Sequence, residues 1–153
     1  MSVVDKDLGW KKILLNMRKM DAKAVKVGIQ SGDKTSDGKE DLAYVASLHE
    51  FGSPGGKIPE RSFIRTAIDS NERKIDNLFD KLAFRILSGS VSIRGALDIM
   101  GLAITGMIQE QITDGEYVPL APATIKQRKN HSDKPLIDTG HMRQSIRHVI
   151  EDK

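Results

Sequence analysis

Two long runs of apolar residues at helical spacing constrain this fold more than any other feature. In the first run, apolar side chains recur every three or four positions across residues 61–87, and the sequence leaves open a break near residues 69–70. The second run covers about residues 92–113. The polar sequence SGSVS separates the two, with Ser90 or Ser92 available as the N-cap of the second helix. The sequence therefore predicts two long amphipathic helices.

Two short segments alternate between apolar and polar residues with the period of a β-strand. In KAVKVGIQ, the apolar residues are Val25, Val27 and Ile29, which predicts a half-buried strand. The C-terminal segment SIRHVIED alternates in the same way. Two strands are few for a free-standing sheet, since three or more are usually needed. Either the loops conceal further strands or a neighbouring subunit completes the sheet.

The predicted fold class is α+β, with the two long helices packed on a small, mainly antiparallel sheet. Residues 1–153 are expected to form a single domain, in which residues 1–22 are an N-terminal helical segment. The remaining predicted elements are a helix over 7–20, a loop over 31–41, a helix over 42–51 ending at Gly52, a connector over 53–59, an irregular stretch over 114–135 and a short helix within it over 124–129.

The composition limits the cellular compartment of the protein and the kinds of metal site and cross-link that it can form. The chain of 153 residues has no cysteine, which excludes disulfides and thiolate metal sites and suits a reducing cytosol. No apolar run approaches the roughly 18 residues that a membrane span requires. The N-terminal MSVVDKDLGWKK lacks the apolar stretch of a signal peptide. We therefore expect a soluble protein that is made in the cytoplasm, without a membrane partner.

The charge of the chain gives weak support to nucleic-acid binding. Twenty-four basic and 21 acidic residues leave a net charge of +3, and aromatic residues make up 5% of the chain. Nucleic-acid binders usually concentrate basic residues in a patch with stacking aromatics. The densest basic cluster is Lys126, Arg128 and Lys129, which we interpret as a solvated segment. A DNA-contacting module that uses this cluster remains an alternative.

The sequence Asp138-Thr139-Gly140 has the form of an aspartic protease signature. That chemistry needs two carboxylates that share a proton, so one such motif per chain would require a homodimer. Only 13 residues follow Gly140, too few to build a substrate cleft and a flap, and His141 stands where those enzymes have a small residue. The dimeric protease is therefore the most remote alternative.

A structural role explains the same three residues more simply. Asp138 or Thr139 can accept hydrogen bonds from exposed backbone N–H groups, and Gly140 has permissive backbone torsions. Residues 141–145 would then form a turn of helix before the last strand. The other enzyme signature is also incomplete, because His49-Glu50 would need a second histidine where Ser53 stands. We predict no catalytic residue, no metal site and no cofactor.

Three stretches in a fixed order carry a resemblance to a known family. The first is VKVGIQSG, the second is LAYVASLHEFGSPGGKIPERSFIRTAID, and the third is VPLAPATIKQRKNHSDKPLIDTGHMRQSI. The chain resembles a family of small virion proteins of tailed bacteriophages and prophages, described as neck, tail-completion or head–tail joining proteins. The resemblance covers most of the chain beyond residue 24.

The family pattern can be followed through the residues of this chain. A tyrosine or valine, an alanine, then an acidic residue, an aromatic residue and a glycine precede a Pro-x-Arg-x-Phe element. Ser62 departs from the pattern, because many members have proline at this position. The matching residues are Tyr44 to Gly52, then Pro59, Arg61 and Phe63, and in the third stretch Pro119, Leu120, Thr124, Lys126 and Pro135 to Gly140.

The resemblance implies a non-enzymatic structural protein at the head–tail junction of the virion. Such a protein would assemble as a homo-oligomeric ring between the head connector or adaptor and the tail, with DNA passing through it without sequence-specific binding. A tail terminator or minor tail component is the alternative within the same class. Loops 31–41 and 114–135 are expected to become ordered against neighbours. As the intersubunit contact we predict Phe51, Ile58, Pro59 and Arg61, although Phe51 could instead pack in the core and Arg61 could pair with Glu50 or Glu60.

Overall fold

The computed structural model describes residues 9–128 and 131–152. These ranges form a mixed α/β fold of six helices and a two-stranded antiparallel sheet, consistent with the α+β class. Residues 7 and 8 of the predicted first helix and Lys129 of the basic cluster lie outside the described residues. In chain order the elements are α1 (Trp10–Asp21), β1 (Lys23–Ile29), α2 (Leu42–Phe51), α3 (Ile64–Leu87), α4 (Ile93–Asp114), α5 (Pro122–Gln127), α6 (His141–Gln144) and β2 (Ile146–Asp152).

The sheet joins the first and last strands of the described chain. β1 and β2 pair antiparallel from Lys23 opposite Asp152 to Ile29 opposite Ile146, and Lys23 also forms an ion pair with Asp152. Among the described residues β2 is the one strand that pairs with β1. The other edge of β1 therefore pairs with no strand in the described ranges.

The core lies where α4 crosses both strands and packs along α3. Alternate residues of β1, including Val25 and Val27, contribute to it from the sheet, as the period of two predicts. Its largest side chains with under 2% exposure are Phe63, Ile108, Ile112 and Ile146, so α3, α4 and β2 meet around Phe63.

The first long helix is continuous across residues 69–70, where the sequence allows a break. α3 runs from Ile64 to Leu87, and it begins three residues later than the apolar pattern suggested. Ala67, with no exposed surface, packs into the core just before Asp69 and Ser70, which point to solvent. The helix therefore continues without a break through this polar step.

Ser92 is the residue that caps the second long helix. Its hydroxyl accepts a hydrogen bond from the Gly95 N–H at 3.0 Å, and α4 begins at the next residue, Ile93. Ser90 instead closes the preceding turn, where its N–H donates to the Arg85 carbonyl at 2.9 Å. Ser90 is thus part of the turn after α3, and Ser92 is left as the N-cap of α4.

The loop over residues 31–41 is tied to its own chain. Arg147 of β2 forms an ion pair with Asp33 at 2.8 Å, and the Asp33 carbonyl accepts the Leu42 N–H at 2.9 Å. At the end of the loop, Asp41 caps α2 by accepting the Ala43 N–H at 2.9 Å. The expectation that this loop becomes ordered against a neighbour stays a prediction, and within the protomer these contacts already fix its two ends.

Close packing of α4 on the sheet depends on one glycine. A Cβ atom added to Gly101 would lie 2.4 Å from the ring carbon Cγ of His148. His148 is in turn held beside α4, where its Nε2 lies 3.3 Å from Asp98 Oδ1. No real Cβ contact is this short, so any side chain at residue 101 must push β2 away from α4.

We expect Gly101→Ala to lower the free energy of unfolding by about 2 kcal/mol, in the range for overpacked cores. Gly106→Ala is the matched control, because Gly106 lies on the same helix, is exposed and has open space at the Cβ position. The control should be neutral or stabilising by about 0.5–1 kcal/mol, since alanine favours helix. Chemical denaturation of the three proteins measures both effects, and equal stabilities for the two variants would contradict the packing argument.

Candidate subunit interface

A buried carboxylate joins the end of α2 to the start of α3. Glu50 is 4% exposed, and its Oε2 accepts the backbone N–H groups of Phe63 at 2.8 Å and Ile64 at 2.9 Å. Its Oε1 accepts the Arg65 N–H at 3.0 Å and the Ser62 hydroxyl at 2.8 Å. The first N–H groups of a helix have no partner within the helix, and its N-terminus favours negative charge. Glu50 therefore acts as a long-range N-cap for α3.

The pKa of Glu50 reflects these contacts. Burial alone would raise it, but the hydrogen bonds from the backbone N–H groups of Ile64, Arg65 and Phe63 and from the Ser62 hydroxyl outweigh burial, and the net pKa is lowered. The carboxylate is thus held in its charged form by donors that all belong to the start of α3.

Arg65 covers this carboxylate from the solvent side. Its Nε lies 3.2 Å from Glu50 Oε1, and its second guanidinium nitrogen donates to Glu60 Oε1 at 2.6 Å. The guanidinium carbon also lies 5.1 Å from the centre of the Phe51 ring, within the range of a cation–π contact. Phe51 is 64% exposed, so Arg65 holds the ring at the surface.

The connector after α2 is a tight turn that requires a glycine. Gly52 has a φ of 75°, and a Cβ there would lie 3.2 Å from the Ile58 carbonyl oxygen and the Glu60 nitrogen. The Ser53 N–H donates to the Ile58 carbonyl at 2.9 Å, while the Ile58 N–H donates to Ser53 Oγ at 2.8 Å. These bonds close the turn and bring Pro59 beside the end of α2, confirming Gly52 as the C-cap.

The four predicted interface residues lie on or beside this turn, but at different depths. Phe51 is exposed, which excludes the core position considered from the sequence, and Ile58 and Pro59 are half-buried. Arg61 is 5% exposed, and its Nε donates to the Val118 carbonyl at 3.1 Å. The alternative pairing of Arg61 with Glu50 or Glu60 is wrong, because Arg65 makes both contacts. Arg61 supports the turn from beneath.

An apolar groove of about 320 Å³ runs beside this surface. One wall is β1, at Val27 and Ile29, and the opposite wall is α2. Small side chains on α2 keep the groove open, because Ala43, Ala46 and Ser47 recur at helical spacing on the wall that faces β1. Phe51 also lines the groove, so β1 and the exposed ring belong to one surface.

The Asp138-Thr139-Gly140 segment forms a turn that leads into α6. Gly140 precedes the helix with a φ of 77°, a conformation that favours glycine. Thr139 Oγ1 accepts the His141 N–H at 3.3 Å, but the N-cap position itself is held by Gly140, which has no side chain to cap the helix. β2 begins directly after, at Ile146.

The turn also lines a cleft of about 200 Å³ together with His49 of α2. Asp138 is the single carboxylate among the residues that line this cleft. His49 Nδ1 is buried there without a hydrogen-bond partner in the described part of the chain. Burial lowers the pKa of His49, and the nearby charges of Arg61 and Arg128 lower it further.

Arg128 has a different role from the one predicted. One guanidinium nitrogen donates to the Ser132 and Ile137 carbonyls at 3.2 and 3.0 Å, and the other donates to the Pro135 carbonyl at 2.6 Å. It also bonds the Lys134 carbonyl at 2.5 Å. The interpretation of a solvated basic segment is wrong for Arg128, which organises residues 131–137 from within the chain.

Sequence reasoning missed the residues that build this surface. From the sequence, Glu50 is part of an incomplete zinc motif or a partner of Arg61, and neither Arg65 nor Arg128 is assigned a structural role. The available signal was the order of an acidic residue, an aromatic residue and a glycine at the end of a helix. In the described part of the chain no three histidine, aspartate or glutamate residues are grouped to hold a metal ion.

Comparisons of the chain with protein-family models, with curated proteins and with solved structures found no match. In the described ranges, every helix is too short or too polar for a bilayer crossing.

Glu50→Gln should lower the free energy of unfolding by about 2–3 kcal/mol at neutral pH, because an amide group would face backbone donors in a buried position. Glu60→Gln is the matched control, since Glu60 also contacts Arg65 but its side chain is 56% exposed. Exposed ion pairs contribute at most about 1 kcal/mol. Denaturant titrations compare the two variants, and equal losses would show that Glu50 is no more than a surface partner of Arg65.

Stability should also depend on pH through Glu50. Because its folded-state pKa is lowered from the ordinary value of 4.5, its contribution is fully present above that value and is lost as pH falls through the folded pKa. The difference in unfolding free energy between the wild-type protein and Glu50→Gln should therefore be largest near pH 7 and shrink below about pH 4.5. A difference that stays constant down to pH 3 would contradict the assignment.

Proposed function

We propose that this chain is a non-enzymatic structural protein of a tailed-phage virion. It assembles as a ring at the head–tail junction and joins the head connector to the tail, while DNA passes through without sequence-specific binding. The observation that carries the proposal is the surface formed by Phe51, held out by Arg65 beside the free edge of β1. A rigid base with an exposed ring and an unpaired strand suits a subunit contact.

The contacts around the Glu50 cap give a structural reason for the residues of the pattern on which the family resemblance rests. The acidic residue of that pattern is Glu50, which caps α3, and Gly52 allows the turn that follows. Phe63, with no exposed surface, anchors the start of α3 in the core. Arg61 fixes the turn to the Val118 carbonyl. Each of these residues builds the surface around Phe51, and none requires a catalytic role.

A neighbouring subunit completes the sheet in the proposed ring. An extended segment of the neighbour adds to the outer edge of β1, where main-chain hydrogen bonds give affinity and the groove beside α2 accepts alternate side chains. Phe51, Ile58 and Pro59 contact the neighbour at the end of this groove. A contact between different faces of identical subunits closes into a ring when the rotation between them is suitable.

The test is joining of heads and tails. In the phage or prophage that encodes this chain, disruption of its gene should leave separate filled heads and tails, and the purified chain should restore infectious particles when added to that lysate. Phe51→Asp should fail to restore them, because a charge would be buried in the contact. The Phe51→Asp protein should keep its fold, as circular dichroism would verify, since the ring is exposed.

Asp138→Asn is the control that separates this function from the protease alternative. The variant should restore joining as well as the wild-type chain, because Asp138 is assigned a structural place. Loss of joining in this variant together with loss of cleavage of a virion protein would overturn the proposal in favour of catalysis. Unjoined heads and tails that the wild-type chain does not rescue would also overturn it.

A further inference from the structure

Two arginine side chains lie close to the cleft that His49 and Asp138 line. Arg128 is itself one of the lining residues. Arg61 is tied to the same place, because its backbone N–H donates to the His49 carbonyl at 2.7 Å. Burial lowers the pKa of Arg61, and the nearby charge of Arg128 lowers it further. The two cations are therefore close enough to repel each other.

Arg61 is a buried cation without a counter-ion in the described ranges. It is 5% exposed, and none of the ion pairs formed there includes it. Its Nε donates instead to the Val118 carbonyl at 3.1 Å. A buried charge is normally paired, because a neutral carbonyl offsets only part of the free energy lost on leaving water. The surroundings of Arg61 would therefore favour an anion.

His49 provides a hydrogen-bonding group in the same region. Its Nδ1 is buried and has no hydrogen-bond partner among the described residues. The charges that shift its pKa are those of Arg61 and Arg128, so the potential at the ring is positive in spite of Asp138 in the same cleft. A neutral imidazole can carry its proton on Nδ1 and donate it. An oxyanion beside this nitrogen would accept that proton's hydrogen bond and offset the two cations.

The remaining lining of the cleft is largely apolar. Leu42 and Leu136 are 3% and 6% exposed, and Val45 and Met142 are half-buried. The volume of about 200 Å³ is several times the roughly 30 Å³ that one water occupies. An inorganic anion makes no use of an apolar wall, whereas the methylene groups of a carboxylic acid gain free energy by covering it. The lining therefore favours a carboxylate that has an aliphatic stem.

We propose that this cleft binds a carboxylate group on a short aliphatic stem. The carboxylate accepts the Nδ1–H of His49 and partly neutralises Arg61 and Arg128, while the stem lies against Leu42 and Leu136. A free short-chain acid and a glutamate side chain of another protein share this chemistry. The cleft and the groove beside Phe51 have no lining residue in common, so the inference does not depend on the proposed function.

A titration of the purified chain with butyrate tests the proposal. Proton–carbon correlation spectra of the His49 ring and the backbone amide signals of Leu42 and Leu136 report binding. We expect saturable shifts with a dissociation constant on the order of 1–10 mM, and a rise in the pKa of His49, because an adjacent anion favours imidazolium. n-Butylammonium at the same ionic strength is the control ligand, since it has the same stem and the opposite charge. It should give no saturable shift.

The apolar wall and the histidine are tested separately. Acetate lacks two methylene groups of butyrate and should bind about 10-fold more weakly. His49→Phe keeps an aromatic ring without its nitrogens and should weaken butyrate binding by about 10-fold. His131→Phe is the matched control, because His131 is exposed and does not line the cleft. Val45→Thr keeps the shape of the wall but makes it polar, so it should reduce the preference for butyrate over acetate.

A glutamate that is blocked at both backbone ends distinguishes the two sources. Tighter binding of this compound than of butyrate assigns the cleft to a protein side chain, and weaker binding assigns it to a free acid. The proposal is overturned if butyrate gives no saturable shift, which would mean that the cleft holds water only. It is also overturned if n-butylammonium binds as well as butyrate, if inorganic phosphate binds more tightly than butyrate, or if His131→Phe loses as much affinity as His49→Phe.

Discussion

The buried carboxylate of Glu50 is the interaction on which the candidate surface depends. It satisfies three backbone N–H groups at the start of α3 that have no partner within the helix, and it does so from the end of a different helix. The turn between the two helices is tight, since a Cβ at Gly52 would lie 3.2 Å from the Ile58 carbonyl oxygen and the Glu60 nitrogen. Loss of the carboxylate would therefore release the turn that carries Phe51 as well as the cap.

Most of the fold follows from local patterns, whereas the residues that fasten it together do not. The alternation in β1 and β2 and the apolar period of α3 and α4 identify these elements because each pattern lies within one segment. Glu50 is 13 to 15 residues from the N–H groups that it accepts, and Arg147 is 114 residues from Asp33. No period in the sequence reports such contacts. For the same reason a charged residue such as Arg128 looks solvated until its carbonyl partners are known.

The order of the loops also depends on contacts that no local sequence pattern predicts. Long polar stretches with glycine and proline predict irregular structure, and residues 31–41 and 115–121 are indeed largely without helix or strand. Their order comes from single cations that reach backbone or carboxylate oxygens, as Arg147 does at Asp33 and Arg61 does at Val118. A loop held in this way supports a surface without contributing an apolar core of its own.

Aromatic residues are buried in the part of the protein that supports the candidate surface, and others are exposed on the surfaces that could contact a partner. Phe63 is fully buried beneath the Glu50 cap, while Phe51, Phe84 and Trp10 are 64%, 73% and 64% exposed. Large apolar side chains contribute most to binding when they become desolvated, and exposed apolar patches commonly mark interaction sites. Phe51 is additionally held by Arg65, so its position is set before any partner arrives. An aromatic ring that is fixed in advance loses little conformational freedom on binding. Its contact with a partner is therefore more favourable than that of the same ring on a flexible loop.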